Sequence, residues 1–402
     1  MEKKSEILQG RVKIVIRYGM DKDFEKAKKI WQECFLDSED EVKFYFDNLY
    51  DRHKYLLLEE DDEIKASLHE NPYRLNFNGT VFESIYIVGV AVSPEYRGKG
   101  YMNELIRESL IENRKREVPF VFLSPINPEI YRKYGFEYVT RLSKYSMRTE
   151  TLPYNKIERA YDIKRVELNS EDELYEDLVE VYNNQMSEIS LYVERDEKYY
   201  RDWVREIRSD GGDVFSIYLD EEIRGYIAFY RREKIEIREI FAKDRRALEN
   251  LLALVKTFKE YYPELEIKNI DGKYLEYCFV NQKSFEKREF PFIMGRILNP
   301  MEVFKMMNIY DIDMKILVTD SIIVENNGVY RFTQEGELTY NEAGDWDIKI
   351  DIGDLSSLIF GQLSIDELVF LEKLEVKNEE VIKRIREKGI FLLKRNYIQD
   401  YQ

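Results

Sequence analysis

The sequence has few of the residues on which several common kinds of site depend. Its 402 residues include two cysteines and two histidines. Cys34 and Cys278 lie far apart with no metal spacing around either, which predicts a reducing compartment and no metal site. With His53 and His69 alone, we expect neither a histidine-based catalytic triad nor a zinc site, and we expect both to be ordinary surface or loop residues.

Long apolar runs and basic blocks are also lacking. No run approaches the ~20 apolar residues that a bilayer-spanning helix needs. The first residues, MEKKSEILQG, lack the apolar stretch of a signal peptide, so we expect a cytoplasmic protein. The formal net charge of −17 is spread along the chain. This charge disfavours nucleic acid and membrane as partners and favours a small cationic molecule.

What is present is the material for buried cores. Hydrophobic residues make up 44% of the chain and aromatic residues 14%, so the protein is globular and not disordered. A chain of 402 residues is too long for one ordinary domain, and two or three are expected.

The first 150 residues alternate between strand and helix periodicity. Residues 11–19 and the continuous apolar run 118–125 are typical of strands. Residues 55–68 predict a hairpin that turns at 60–63, followed by two more strands around Asn78-Gly79. The pattern predicts helices over 23–35 and 39–50, and a short helix that Gly135 ends.

Part of this pattern occurs a second time. Residues 215–227 resemble 55–68, with a strand, an acidic turn, isoleucine, a cation and a second strand. Residues 237–258 repeat the strand-to-helix layout of 87–110. The second copy has no glycine in the turn before its helix, where the first copy has two. The two copies therefore share a scaffold and differ at this turn.

The repeat and a later change of pattern divide the chain into three predicted domains. Beyond Arg296, short strands and an Asn-Asn-Gly turn are followed by helical segments, which indicates a smaller α+β domain. The predicted domains are 1–150, 151–295 and 296–402.

Two glycines and two cations lie at the start of an amphipathic helix, in the stretch Arg97–Gly100. Helix N-termini present unpaired N–H groups that bind phosphates, and glycine lets that backbone approach a ligand closely. The four residues therefore fit a pyrophosphate site, and a solvated turn with incidental cations fits them about equally well. Gly89, in the strand before, marks either a bulge that separates two strands or a close-packing position.

The stretch Arg-Gly-Lys-Gly between a strand and a helix resembles the acetyl-CoA signature of the GNAT acetyltransferases. The segment SPINPEIYRKYGFEYV downstream resembles the part of that family in which an asparagine precedes a tyrosine on the next helix. The resemblance implies Tyr131 as the general acid. The residues implied to contact acetyl-CoA are Val90, Val92, Arg97, Gly98, Lys99, Gly100, Tyr101, Met102 and Asn127.

The chain resembles the enhanced intracellular survival (Eis) family of aminoglycoside N-acetyltransferases in its length, in its degenerate second repeat and in its third domain. The resemblance implies an α+β fold with mixed sheets, in which two tandem GNAT-like domains precede a smaller sterol-carrier-like domain. It also implies a homo-oligomer, with a hexamer as the family's form. In that family the chain's terminal carboxylate serves as the base, which here belongs to Gln402. The family often ends in an aromatic residue, from which a terminal glutamine departs, and a frayed end is the alternative.

The acceptor pocket implied by the resemblance lies partly on the first two helices. Within residues 31–41, Phe35 and Asp37 are the candidates for binding a cationic amine, and a solvated acidic loop explains the same residues as well. The tail carries Tyr397 and Tyr401, which could anchor it.

Three functions remain open from these residues. The first is an acetyl-CoA-dependent N-acetyltransferase that acts on amines, with aminoglycoside-like polyamines as substrates, and the second acetylates a protein lysine or a cellular polyamine. The third is a non-catalytic ligand carrier or sensor. The intact glycine turn, together with Tyr131, argues against the third.

Overall fold

The computed structural model describes residues 5–9, 12–48, 50, 54–152, 156–168, 172–269, 273–279, 281 and 283–399. Contacts divide the chain into two compact units. One comprises residues 1–140, 292–394 and 398–402, and the other comprises 141–291 and 395–397. In this part of the chain no helix combines the length and the apolar character needed to cross a membrane.

The described residues of the N-terminal part of the chain, up to Arg148, form eight strands and four α-helices. The strands are β1 (Ser5–Gln9), β2 (Val12–Tyr18), β3 (Tyr55–Glu60), β4 (Glu63–Phe77), β5 (Thr80–Val92), β6 (Phe120–Leu123), β7 (Glu137–Tyr138) and β8 (Arg141–Arg148). The helices are α1 (Phe24–Cys34), α2 (Glu39–Asn48), α3 (Tyr101–Lys115) and α4 (Pro128–Arg132).

The middle of the chain repeats the same kinds of element. Its strands are β9 (Tyr161–Arg165), β10 (Leu191–Val193), β11 (Gly212–Leu219), β12 (Glu222–Arg231), β13 (Ile235–Ala242), β14 (Glu264–Asn269) and β15 (Phe285–Pro291). Its helices are α5 (Asp172–Met186), α6 (Glu197–Ser209), α7 (Arg245–Lys256) and α8 (Lys273–Cys278).

The last part of the chain contributes shorter elements. Its strands are β16 (Met294–Ile297), β17 (Met314–Thr319), β18 (Gly328–Phe332), β19 (Leu338–Asn341), β20 (Ile348–Asp351), β21 (Leu374–Val376) and β22 (Asn396–Tyr397). Its helices are α9 (Pro300–Lys305), α10 (Ile352–Ile359), α11 (Ile365–Phe370) and α12 (Glu379–Lys388).

Three mixed sheets organise these elements. The first runs β1-β2-β3-β4-β5-β6-β16-β7, the second β15-β8-β14-β13-β12-β11-β9, and the third β19-β18-β17-β20-β21. In both the first and the second sheet, one strand lies parallel to its neighbour, β5 beside β6 and β13 beside β14. The predicted fold class, mixed α/β sheets in three successive folds, is confirmed.

The strands differ from the sequence prediction at two places. The second strand of the predicted hairpin and the strand predicted just before Asn78 form one long strand, Glu63–Phe77, because antiparallel pairing with β5 continues along it. The strand β8 hydrogen bonds with β14 and β15 of the second sheet, although residues 1–150 were assigned to the first domain. The three domain boundaries themselves stay predictions.

Helix α3 covers one face of the first sheet and begins directly after the glycine turn Arg97–Gly100. Apolar side chains of α3, including Leu105, Ile106 and Leu110, are fully buried against strands β2 to β6. The spacing of these residues predicts this face correctly. On the other face, α1 and α2 bury an aromatic cluster around Trp31.

Candidate active site

Strand β5 carries a bulge just before its end. Its register with β4 shifts between Ser67 and His69, which leaves one extra residue in β5. Gly89 lies at this shift with φ of +62°, in the left-handed region. A Cβ on Gly89 would lie 2.2 Å from the ring of Trp31. Both explanations offered for this glycine, a bulge and close packing, are therefore correct.

The bulge accompanies a separation of β5 from β6. The two parallel strands are in register at Ile85–Val121 and Tyr86–Phe122, and β5 continues six residues further, to Val92. Strands that diverge in this way leave backbone groups of β5 available to a ligand lying between them. This placement puts the backbone of Val90 and Val92, the predicted contacts of the acetyl-CoA arm, on the diverging part of β5.

The end of β5 is held by two side chains. The carbonyl of Val92 accepts hydrogen bonds from the Cys34 thiol at 3.4 Å and from Nε of Arg97 at 3.4 Å. Arg97 also lies 3.9 Å from the Cys34 sulfur. Thus the first predicted cation of the glycine turn is exposed and oriented by the strand before it.

The glycine turn itself is open and left-handed at both glycines. Gly98 has φ of +80° and Gly100 has φ of +88°, and a Cβ on either would meet nothing within 4 Å. Gly100 is the N-cap residue of α3, and no side chain of the described residues caps this helix. The N–H groups of the first turn are therefore available to an anion, as a pyrophosphate site requires.

The remaining residues of the turn divide into ligand-facing and packing side chains. Lys99 is exposed, with its ammonium group 4.6 Å from the ring centroid of Tyr96. Tyr101 is buried and its hydroxyl donates to Glu60, and Met102 packs on the sheet core. Of the predicted contacts, Tyr101 and Met102 can therefore offer backbone N–H groups, whereas Lys99 can offer its side chain.

We predict that Gly100→Ala raises the KM for acetyl-CoA by about tenfold or more, since a charge-assisted hydrogen bond contributes roughly 1.5–3 kcal/mol. An alanine at φ of +88° is strained, and relaxation of the turn would move its N–H groups. The measurement is steady-state kinetics with acetyl-CoA varied.

Gly79→Ala is the matched control. Gly79 has φ of +84° and also has nothing within 4 Å of a Cβ, but it lies in the hairpin turn at the opposite end of β5. Its replacement should carry a similar strain and leave the KM unchanged. An equal rise in KM for both variants would contradict the role assigned to the turn.

Tyr131 lies on the short helix α4 and is buried, with 7% of its surface exposed. Burial, together with neighbouring Tyr134, raises the pKa of Tyr131 to about 12. The hydroxyl is therefore protonated at every physiological pH. Asn127 is the N-cap of this helix, and its side-chain oxygen accepts from the N–H of Glu129 at 3.0 Å, so its visible role is to start the helix that carries Tyr131.

A buried arginine that the sequence argument missed supports the turn after Tyr131. Arg296 on β16 donates to the carbonyl of Tyr134, and its Nη2 donates to both carboxylate oxygens of Asp320 at 2.7 and 2.8 Å. Both side chains are fully buried. A cation inside the apolar run FIMGRIL was a usable signal, because arginine is almost never fully buried unless it is paired.

The predicted acceptor residues meet at Trp31. The indole N–H of Trp31 donates to the Asp37 carboxylate at 2.7 Å, and the ring of Phe35 lies 5.0 Å from the Trp31 ring. Phe35 is half-buried and Asp37 is exposed. The structure thus brings Phe35 and Asp37 together beside the bulge of β5, with Trp31 as the residue that the sequence argument did not select.

The expectation for the histidines is wrong for His69. This residue is fully buried in β4, with the rings of Tyr45 and Tyr55 at 5.3 and 5.4 Å. Residues 64–71 of β4 are all buried because helices cover both faces of the first sheet, which a count of histidines does not reveal. His53 lies outside the described residues.

Tyr397 anchors the tail, as predicted. Strand β22 pairs in parallel with β10, and the Tyr397 hydroxyl donates to the buried carboxylate of Glu239. Arg195 donates to the same carboxylate at 2.9 and 3.0 Å, and Tyr226 donates at 2.7 Å. A chain held by such a network does not fray at this position. Tyr401 and the proposed base, Gln402, lie outside the described residues.

Three family models match the sequence in succession. Residues 15–139 and residues 191–297 each match an acetyltransferase (GNAT) domain, and residues 297–388 match the sterol carrier protein domain. The chain belongs to the GNAT acetyltransferases. It is an acetyltransferase with two GNAT domains and a C-terminal sterol carrier protein domain, the order that is expected for the Eis type. No curated protein matches the sequence.

Solved structures of similar fold cover nearly the whole GNAT chain. A conserved protein from Enterococcus faecalis V583, described as a probable N-acyltransferase, has a TM-score of 0.84 at 20% identity, over 97% of this chain and 100% of that one. A GCN5-related N-acetyltransferase from Anabaena variabilis has 0.81 at 18% identity, over 97% and 100%. Eis1 from Mycobacterium abscessus has 0.77 at 14% identity, over 97% and 100%. These likenesses support the fold.

Proposed function

We propose that this acetyltransferase moves the acetyl group of acetyl-CoA directly to an amine of a small polycationic molecule of the aminoglycoside kind. The observation that carries the proposal is the open left-handed glycine turn at the end of a bulged, diverging strand, because that backbone fits a diphosphate. The GNAT fold implies acetyl-CoA as the donor.

Donor binding is assigned to backbone groups and two cations. The N–H groups from Gly98 to Met102 would hold the diphosphate, with Arg97 and Lys99 adding charge. The diverging part of β5 would hold the pantetheine arm through Val90 and Val92. Gly89 keeps this part of β5 against Trp31, so the donor strand and the acceptor residues share one wall.

The proposed chemistry assigns roles to one proton donor and one backbone N–H group. The unprotonated amine attacks the thioester carbonyl, and the N–H of Val90 is the proposed donor to the developing oxyanion. Collapse of the tetrahedral intermediate breaks the C–S bond, and the leaving thiolate of CoA takes the proton of the Tyr131 hydroxyl. The attacking nitrogen loses a proton to water as the amide forms, and water returns a proton to Tyr131. The products are the acetylated amine and CoA.

The base is assigned to the terminal carboxylate of Gln402. A carboxylate with an ordinary pKa of about 3.5 is a weak base, so its proposed work is to orient the substrate ammonium and pass its proton to water. The hydrogen bond from the Tyr397 hydroxyl to Glu239 supports this assignment, because it holds the tail five residues before Gln402.

Assembly into a homo-oligomer, with the hexamer as its form, stays a proposal that light scattering can test.

Cationic acceptors are favoured by charge. The loop between α1 and α2, with the adjoining ends of both helices, exposes Glu33, Asp37, Glu39 and Glu41, and the whole chain carries a formal charge of −17. A polyamine or a protein lysine would meet the same groups, so the choice among amines is a matter for experiment.

The alkaline pH dependence should not contain the ionisation of Tyr131. The pKa of Tyr131 is raised to about 12, and the protonated form is the active one, so this acid is lost only far above physiological pH. We expect kcat/KM to rise as the amine deprotonates and then to stay level up to about pH 10, two units below that pKa. Initial rates across this pH range measure it. A descending limb near pH 9 that is absent from Tyr131→Phe would contradict the assignment.

The function itself is tested by release of the CoA thiol from acetyl-CoA with a panel of amines. The panel contains aminoglycosides, linear polyamines and a lysine peptide. Turnover that depends on an aminoglycoside supports the proposal, and turnover with the peptide alone moves the substrate to protein. Folded protein without turnover on any amine would overturn the proposal.

A further inference from the structure

The second GNAT domain retains the strand separation that the first uses for its donor. The register of β13 with β12 shifts between Ala228 and Phe229, which leaves an extra residue in β13. Strand β13 pairs with β14 from Ile235 to Ile237 and then continues to Ala242. The bulge and the divergence of β5 from β6 therefore recur at the same place in the repeat.

A cavity of about 550 Å³ lies beside the diverging part of β13. Ile240, Phe241 and Ala242 form one wall, and Leu275 and Cys278 of α8 contribute to another. This volume falls in the range of roughly 300–1,000 Å³ that small-molecule sites occupy. Apolar side chains such as Ile240 and Leu275 line part of the cavity, which suits an occupant with an apolar body.

The mouth of this cavity cannot hold a diphosphate as the glycine turn can. The carboxylate of Asp244 caps α7 by accepting from the N–H of Ala247 at 2.9 Å. A negative charge thus occupies the helix N-terminus at which a phosphate would bind. The second domain therefore has a similar strand separation and a mouth that does not suit a diphosphate.

The charges around the mouth indicate which polar group an occupant should carry. Lys243 pairs with Glu180, and Arg245 pairs with Glu249 at 2.6 Å. Arg395, from the tail segment two residues before Tyr397, lies 3.7 Å from Glu188 and is 37% exposed. A guanidinium at that distance from a solvated carboxylate can exchange it for a ligand carboxylate, which it binds through two parallel hydrogen bonds.

We propose that this cavity of the second domain binds a small monocarboxylate with an apolar body, with Arg395 receiving its carboxylate. The lining combines three cations with two carboxylates, Lys243, Arg245, Arg395, Glu188 and Asp244. One added negative charge therefore balances the lining, and a phosphate dianion exceeds it. The apolar body would lie against Ile240 and Leu275. The site is separate from the donor and acceptor sites of the first domain, and it does not depend on the acetyl-transfer proposal.

The test is calorimetric titration of the full chain with decanoate. Arg395→Gln should weaken binding by about tenfold, the loss of one charge-assisted interaction. Ala242→Phe should abolish binding by filling the cavity. Arg205→Gln is the matched control, since Arg205 is an exposed arginine of the same unit that pairs with Asp202 outside the cavity, and it should bind as the wild type does.

Two further probes examine the assigned charge and the location. Decanol should bind at least tenfold more weakly than decanoate because it cannot pair with Arg395. Equal binding of decanol, or tighter binding of decyltrimethylammonium, would overturn the carboxylate assignment. Decanoate binding that survives both Arg395→Gln and Ala242→Phe would place it elsewhere, and no binding by the wild type would overturn the site. If Ala242→Phe does not fold, the binding of decanoate to Arg395→Gln and of decanol to the wild type still tests the proposal.

Discussion

Replacement of Tyr131 by phenylalanine is expected to lower kcat for acetyl transfer by about 10²–10⁴-fold, the usual contribution of a positioned general acid. The phenol is buried on α4 with its pKa raised to about 12, so it is protonated whenever a thiolate must leave. Phenylalanine keeps the ring and removes the proton. Because the hydroxyl acts on the leaving group, the KM for acetyl-CoA should change little.

Tyr134→Phe is the matched control for this experiment. Tyr134 is three residues further along and is also buried. Within the described part of the chain, its hydroxyl has no hydrogen-bond partner, so its removal should cost neither activity nor stability. The assignment of Tyr131 fails if both variants lose activity equally. It also fails if Tyr131→Phe retains more than about a tenth of the wild-type kcat, which is well above the activity expected without a general acid.

Local patterns predict the scaffold of the first domain well. The apolar spacing of Met102, Leu105, Ile106 and Leu110 gives the buried face of α3. The glycines at 98 and 100 mark the turn that precedes α3, and both have positive φ. These properties depend on residues close in sequence, so the sequence carries them directly.

Features that depend on residues distant in the sequence could not be predicted from local patterns. The sequence shows a turn signal at Asn78-Gly79 but not that one strand of fifteen residues precedes it, because strand length follows from the partner β5. The pairing of Arg296 with Asp320 joins residues 24 apart, and Trp31 of α1 packs against Gly89 of β5. Both contacts shape the candidate site, and no local pattern identifies the partner residue in either.

The comparison of the two GNAT domains separates scaffold from chemistry. Both have a bulged strand that diverges from its parallel neighbour. The first begins its helix with an uncapped glycine, and the second begins it with Asp244 as the cap. A carboxylate at this one position is sufficient to disfavour a diphosphate, so the second domain can keep the fold of the first without its donor site.

Asp320→Ala is expected to destabilise the unit formed by residues 1–140 and 292–394 by about 3–5 kcal/mol, the usual cost of leaving a buried charge without its partner. Burial already lowers the pKa of Arg296, and Asp320 opposes that effect. The same carboxylate accepts from the N–H groups of Ile322 and Ile323 at 2.9 and 3.0 Å. The alanine would therefore leave both a cation and two backbone donors unpaired. Urea unfolding measures the loss as a lower midpoint.

The exposed pair Arg331–Asp313 provides the control within the same domain. Its hydrogen bonds are both 3.2 Å long and its side chains are 46% and 45% exposed, so water replaces the partner when Asp313 is changed to alanine. The midpoint should then stay where it is. Since Arg296 also holds the carbonyl of Tyr134, folded Asp320→Ala should lose kcat as well as stability, whereas Asp313→Ala should lose neither. Unchanged kcat in folded Asp320→Ala would show that the sterol carrier protein domain does not position the helix of Tyr131 through this pair.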